Sequence, residues 1–546
     1  MAIAQTVAER AEGMRQEAFR SPLMTANKLW EAAETATDRK DFAGAEQLYR
    51  RALATQTDHV PSLIGLSTML SRRGAHRDAH AAALEAYALR PSAAPLIYAV
   101  AQRLRYFHEF ERLIDCLSAP SLAAEAPVQI LAKASVMLSS VGAHAAAAQL
   151  VDKALQRDPA NAAALHVRGN FHLFQGDVDK AELSYEASLR SDPILSQNSL
   201  MLAGARSQTS ENNHVERLKR QLLQAKPRGT GEVYLAYALH KELHDLERYD
   251  EAWQALERAC AAKRRQVQYA STEHAELVES VSQVCTRAFV SEPSPVNQPT
   301  VPVFIVGMHR SGTTLLERML AGHSQVGDAG ETSAFHAQLE LAIDRAAPTG
   351  MNAAFARLTA NADFDAIARG YAESARWLSR GNGFFTEKLP QNFFNVGFIA
   401  KAMPQARFLH LVRDPMDTCF SNLRTLFSGA ALYSYDQAEL GGFFLQYRRM
   451  MEHWHAVLPG RVLDISYDEL VHDPAAMAER VAAHCGIAFE PGMVDIARAS
   501  GTVATPSATV ARQGFRRDRG RAWQPYQAHL DTLRATLAPA YGNAPV

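Results

Sequence analysis

The chain has 546 residues, too many for one ordinary domain, and its 47% hydrophobic and 21% charged content excludes a disordered, collagenous or disulfide-scaffold protein. Lys and Arg (57) nearly cancel Asp and Glu (58) for a formal net charge of -1. That balance removes the electrostatic reason to expect wholesale binding of nucleic acid or of an anionic membrane, so any anion site must be local. The five cysteines, Cys116, Cys260, Cys285, Cys419 and Cys485, show no metal-ligand spacing. Reduced, mostly buried thiols and no metal are the expectation. The N-terminal MAIAQTVAERAEGMRQEAFR is charged throughout and has no apolar core of a leader. No run approaches the roughly 18 apolar residues that span a bilayer. A soluble, cytoplasmic protein is expected, with no nucleic-acid partner.

In chain order, the expected parts are an N-terminal helix over 1–26, a helical array over 27–290, a linker over 291–302 and a second domain over 303–546. The array is rich in Ala, Leu, Glu and Arg, strong helix formers, with few β-branched runs. Ala45, Ala79, Ala147 and Ala181 are spaced by 34, 68 and 34 residues. Each is followed at fixed offsets by Tyr49, Ala83, Val151 or Tyr185, and then by Ala52, Ala86, Ala154 or Ser188. Pro91, Pro159 and Pro193 close three of the four units, and Leu29, Leu63, Leu131 and Leu165 precede the anchors. The pattern resembles the tetratricopeptide (TPR) repeat. Small residues let paired helices approach, and proline stops the second helix. The unit near Leu113, Leu117 and Pro120 is degenerate, and a further pair around Val233–Lys241 and Tyr249–Arg264 is off register. Such an array presents a groove for a peptide or partner protein, or a homodimer surface.

The linker, SEPSPVNQPTVP, is Pro-rich and polar. Val303–Val306 then reads as a buried strand, Gly307-Met-His-Arg-Ser-Gly-Thr-Thr314 as a loop, and Leu315–Leu320 as the start of a helix. Strand, glycine-flanked loop and helix together turn backbone N–H groups and a helix N-terminus toward an anion. Gly307, Gly312 and Thr314 satisfy the nucleotide-hydrolase spacing, but Thr313 stands where that pattern needs lysine. A P-loop kinase is thereby disfavoured, and Arg310 is the local positive charge. Arg407–Val412 is a second strand, with Arg413 at its carboxyl end, where open α/β sheets bind ligands. Asp414 and Pro415 suit an N-cap and first helical position, and Ser421 falls two turns into the helix. Val462–Ser466 is a third strand, ended by Tyr467; the next helix starts at Asp473-Pro474 and stops at Gly486.

The segments V-G-M-H-R-S-G-T-T-L, Phe385-Thr-Glu-Lys388-Leu-Pro and Arg407 to Ser421, in that order, resemble the sulfotransferases that use 3′-phosphoadenosine-5′-phosphosulfate (PAPS). Among these the likeness runs toward tyrosylprotein sulfotransferases and TPR-fused bacterial relatives. The resemblance implies a fold: an α-solenoid followed by a P-loop-like α/β domain with a parallel central sheet. It also implies a cofactor, PAPS, held at the 5′ end by Arg310, Ser311, Gly312, Thr313 and Thr314. Arg413 and Ser421 would hold the 3′-phosphate, and Tyr467 would contact the nucleotide. Thr505-Pro-Ser507, Arg512 and Gly520-Arg521-Ala-Trp523 resemble the closing cofactor loop, which implicates Ser507, Arg512 and Arg521. Ala522 separates Arg521 from the tryptophan, so Arg519 stays open as the cation.

Sulfuryl transfer is an in-line displacement in which positioning and charge stabilisation dominate. The acceptor hydroxyl must lose a proton, and a phenol of pKa about 10 needs a base nearby. The resemblance gives that role to Glu331, in a dry cleft, with His323 the rival base. Lys388 and Arg310 would stabilise the transferring group. Lys388 and Lys401 are the two lysines after residue 300; an Arg-rich domain that keeps Lys at this motif position suits a compact point charge, whereas Lys401 reads as a helix-end cation. Tyrosyl peptide leads as acceptor, with carbohydrate, lipid and small phenol open, although Ser333-Ala-Phe-His after Glu331 lacks the arginine that the tyrosylprotein enzymes place there. The rival reading from another class is an interaction scaffold whose transferase domain has decayed.

Overall fold

The protein is described by a computed structural model covering residues 25–347, 350–427, 429–496, 514–515 and 520–542. Two compact units emerge: residues 25–150 with 340–347, and residues 151–339 with those described after 349.

The helical half is built of hairpins whose contacts explain the 34-residue spacing. In the first unit these include Ala26–Asp38 with Phe42–Thr55, and Val60–Arg73 with His76–Ala88. Ala45, Ala79 and Ala147 are buried. A Cβ on Gly65 would stand 2.3 Å from the Tyr49 ring, so a small residue there is what lets the tyrosine insert between helices. The degenerate unit also folds as a hairpin, but its second helix, Phe110–Leu117, is cut to 8 residues and is followed by the short Pro120–Glu125 helix. In the second unit, Ala162–Gln175 pairs with Val178–Ser191, and Gly169 faces the Tyr185 ring as Gly65 faces Tyr49. The off-register pair is a hairpin of Thr230–Asp245 and Tyr249–Arg264.

The rest of the second unit carries a five-stranded parallel sheet: β1 (Val301–Gly307), β2 (Val326–Asp328), β3 (Phe384–Glu387), β4 (Arg407–Val412) and β5 (Val462–Ser466). Their order is β2-β3-β1-β4-β5, with Val303 opposite Arg407 and Gly307 opposite Leu411. Residues 302–307 of β1 are all buried because helices cover both faces, as parallel sheets require. One face packs Ile305, Leu409, Leu411 and Ile465 against Leu316, Met319 and Val481. On the other, the Phe304, Phe408, Phe385 and Tyr371 rings lie within 6.4 Å of their neighbours. The five cysteines are unpaired and buried. No helix among the described residues is long and apolar enough to cross a membrane.

Candidate active site

β1 lies between β3 and β4, so the chain crosses over in opposite directions on its two sides and leaves a crevice beyond the carboxyl ends of these strands. Residues 308–312 form the loop that fills the crevice, and Thr313–Ala321 is the helix that leaves it. Gly312 is the N-cap of that helix, with φ 109, and supplies no side-chain cap. A Cβ on Gly312 would lie 2.6 Å from the Tyr467 ring, and one on Gly307 2.9 Å from the Leu411 carbonyl oxygen. Both glycines are demanded by close approach as well as by turning. Arg310 holds φ 66, a left-handed conformation that costs a non-glycine residue about 1 kcal/mol. Contacts from the β4 side hold it there. Arg310 Nε donates to Ser421 Oγ (3.3 Å), Arg413 donates to the Arg310 carbonyl (3.3 Å), and Asn422 donates to the His309 carbonyl (2.6 Å).

The β4 end is set by local rules. Asp414 is the N-cap of Pro415–Leu423 and accepts from the Asp417 amide at 2.9 Å, with Pro415 in the first turn. This turn presents Arg413 and Ser421 to the same space as the loop. The Arg413 guanidinium stacks 4.5 Å above the Tyr467 ring and lies 3.9 Å from Asp417. Tyr467 opens the Tyr467–His472 helix directly after β5. Arg310, Gly312, Thr313, Thr314, Arg413, Ser421, Tyr467 and Arg521 all line one cavity of about 760 Å³. Ser311 is buried beside them, and its Oγ has no hydrogen-bond partner among the described residues. Arg521 holds its place through its backbone, which donates to Asp417 at 2.6 Å with φ 63. Ser507, Arg512 and Arg519 lie outside the described residues.

A second group of charges gathers where β2 and β3 end. The Lys388 amide donates to the Gly330 carbonyl (2.9 Å), extending the β2–β3 pairing, and this brings Lys388 Nζ to 2.5 Å from Glu331. On its other side Lys388 Nζ is 3.8 Å from Glu317, one turn into the loop helix. Lys388 is fully buried, whereas the Glu331 side chain is 45% exposed. The dry cleft expected around Glu331 is therefore not what surrounds it: it is ion-paired and faces outward, because Gly330 and Glu331 follow a three-residue strand at the sheet edge. Burial pushes the Glu317 carboxyl up to about 7, against the pull of Lys388. His309 lies among Arg310, Lys388 and Glu331, hydrogen-bonded to the Tyr433 hydroxyl at 2.9 Å, and burial holds its imidazole down at about 4.

The remaining sequence candidates have structural duties. His323 uses both ring nitrogens, accepting from the Gln325 amide (3.1 Å) and donating to the Ala488 carbonyl (2.9 Å). Lys401 ends its helix and ties the preceding segment down through the Phe289 and Glu292 carbonyls. Sequence reading missed Glu317, His309 and Arg424. Arg424 had a signal, because it follows Ser421 at the i,i+3 spacing that shares a helix face. It missed entirely the array residues His240, Lys241, His244 and Tyr249, which line the same cavity as the loop.

Residues 302–491 match the family model described as Sulfotransferase family. An uncharacterized protein of Aquifex aeolicus is 27% identical over 314 residues, covering 56% of this chain and 41% of that protein. The omega-hydroxy-beta-dihydromenaquinone-9 sulfotransferase Stf3 of Mycobacterium bovis is 26% identical over 108 residues, covering 18% of this chain and 28% of that enzyme. The chain thus spans less than half the length of each of these relatives. Among solved structures, the sulfotransferase domain from the Synechococcus PCC 7002 olefin synthase aligns with a TM-score of 0.32 at 21% identity, covering 46% of this chain and 98% of that one.

Proposed function

We propose that this protein transfers a sulfuryl group from PAPS to an acceptor hydroxyl. The observation that carries this reading is the single cavity shared by the 310–314 loop, Arg413, Ser421 and Tyr467. The residues fit such a donor. Gly307 and Gly312 leave room that a Cβ would fill, and Ser311 Oγ has no partner among the described residues. The helix N-terminus at Thr313 offers amides to an anion. Arg310, Ser311, Gly312, Thr313 and Thr314 would hold its 5′ end, Arg413 and Ser421 its 3′-phosphate, and Tyr467 its nucleotide. Arg521 would close over it, with Ser507 and Arg512 assigned by resemblance alone. When bound, PAPS would supply an activated sulfuryl group with a phosphate leaving group.

The chemistry of the chain's own residues follows from their charges. Glu331, open to solvent on one side, takes the acceptor's proton. Lys388 is a buried cation that meets the negative charge developing on the leaving oxygen, and Arg310 shares that charge from the loop. The Lys388–Glu331 ion pair must loosen for both to act, and an entering acceptor hydroxyl supplies Glu331 with a replacement hydrogen bond.

The acceptor to test first is a tyrosyl peptide, since the sequence resemblance puts Glu331 at the base position of the tyrosylprotein enzymes and a solenoid groove suits an extended chain. The hydroxylated compound named for the Mycobacterium bovis relative is the contrasting acceptor. Sulfur-labelled PAPS incubated with tyrosyl peptides, simple phenols and alkyl alcohols should yield a labelled product with one class. Calorimetry with adenosine 3′,5′-bisphosphate should show binding that ATP does not match. No binding of the bisphosphate would leave the scaffold reading standing instead.

A further inference from the structure

Part of the cavity's wall comes from the helical array. His240, Lys241 and His244 on the Thr230–Asp245 helix, and Tyr249 at the start of the next, line it together with Arg424, Phe420 and Thr425. Arg424 follows the helix that carries Ser421 and lines the cavity with it. Its one side-chain hydrogen bond among the described residues joins Nη1 to His244 Nε2 at 3.2 Å, and no described carboxylate forms an ion pair with it. A guanidinium only donates, so His244 Nε2 is the acceptor and Nδ1 carries the proton. Nδ1–H in turn donates to the Tyr526 hydroxyl at 2.8 Å, and that ring stacks on the imidazole with centroids 5.8 Å apart.

The neighbouring Lys241 and His240 are held by other groups. Lys241 is bound to Asp245 and to the Arg206 carbonyl. His240 gives Nδ1–H to the Ala252 carbonyl at 2.9 Å, and its Nε2 has no partner among the described residues. Burial and the Arg424 charge hold both histidines well below their ordinary value, His244 at about 3. Arg424 is therefore a cation hydrogen-bonded by a neutral imidazole, and its remaining donors have no partner among the described residues.

We infer that Arg424 binds the 3′-phosphate of the nucleotide beside Arg413 and Ser421, and that His244 of the array is the positioning residue that sets its guanidinium. The inference rests on the donor reading above. It makes the last array hairpin a part of the nucleotide pocket, and the transferase domain alone lacks one wall of its site.

The test is calorimetry on the full chain with adenosine 3′,5′-bisphosphate and adenosine 5′-monophosphate, which lacks the phosphate in question. Arg424→Ala should weaken the bisphosphate by on the order of tenfold or more and leave the monophosphate unchanged. Arg424→Lys, which keeps the charge without the fork, should fall between. His244→Ala should lose part of the same selectivity, and His244→Gln, which can still accept from Arg424 and donate to Tyr526, should restore it. Equal losses for both nucleotides, or none, would overturn the inference while wild-type binding keeps the donor reading intact. A wild-type chain that binds neither nucleotide sinks the donor reading, and this inference with it.

Discussion

Lys388 stands between two carboxylates of unlike character, and the proposed reaction rests on that asymmetry. Glu331 is 45% exposed and 2.5 Å away, while Glu317 is buried and 3.8 Å away. The exposed partner can exchange its ion pair for a hydrogen bond from an acceptor. The buried one faces Lys388 away from solvent. Replacing Glu331 by Gln keeps the shape but removes proton acceptance, so turnover should fall by on the order of 100-fold or more. Affinity for adenosine 3′,5′-bisphosphate should hold, and acceptors of low pKa should suffer least. Steady-state rates against a series of phenols read both effects; a variant that turns over an unactivated phenol normally removes Glu331 from the mechanism. In the cavity beside the loop, Arg413→Ala removes a guanidinium that touches the loop backbone and stacks on Tyr467. Bisphosphate affinity should fall by tenfold or more, and Ser421→Ala should cost less, as a neutral partner.

Among the elements, the loop between β1 and its helix carries the tightest constraint. Gly312 combines φ 109 with a Cβ position 2.6 Å from the Tyr467 ring. Gly312→Ala must therefore strain the backbone and push Tyr467 away from Arg413. The expected cost is about 1 to 3 kcal/mol of stability, with loss of bisphosphate binding beyond that of Ser421→Ala. Gly330→Ala is the control, since φ is 72 there but nothing lies within 4 Å of the added methyl. Denaturant unfolding of the two variants, with the titration, separates conformational strain from collision: equal penalties at both sites would mean the Tyr467 contact is immaterial.

For the molecule as a whole, buried carboxyls couple stability to pH. Glu387 is fully buried, accepts from the Tyr371 hydroxyl at 2.7 Å, and is pushed up to about 7 by burial. Glu340 and Glu317 are raised to about the same value for the same reason. Between their ordinary value near 4.5 and about 7, the unfolded chain has released a proton that the folded chain keeps. Rising pH through that window therefore favours unfolding, by about 1 kcal/mol per pH unit for each group. Histidines held neutral by burial, such as His244 and His309, push the opposite way below their ordinary value of 6.5. The clean measurement is thus a difference. Glu387→Gln should gain stability relative to wild type as pH rises from 5 to about 7 and level off above it. Denaturation at several pH values checks this, and a constant difference across the range would mean that Glu387 ionises normally.

What was legible in the amino-acid order is what depends on neighbours within a few residues. The 34-residue spacing, the Gly307–Thr314 loop, the Asp414-Pro415 cap and the Arg407–Val412 and Val462–Ser466 strands each come from periodicity, turn chemistry or capping. These act through local backbone geometry, so the chain announces them wherever they occur. The site's charges could not be read that way. Lys388 meets Glu331 across 57 residues only because β3 pairs with β2 in one register, and the exposure of Glu331 follows from β2 lying at the sheet edge. His244 reaches Arg424 across 180 residues because an array hairpin packs within the same unit as the sheet. Strand order and helix docking are settled by the burial of whole faces, to which every residue contributes a little and no short motif contributes enough to be seen.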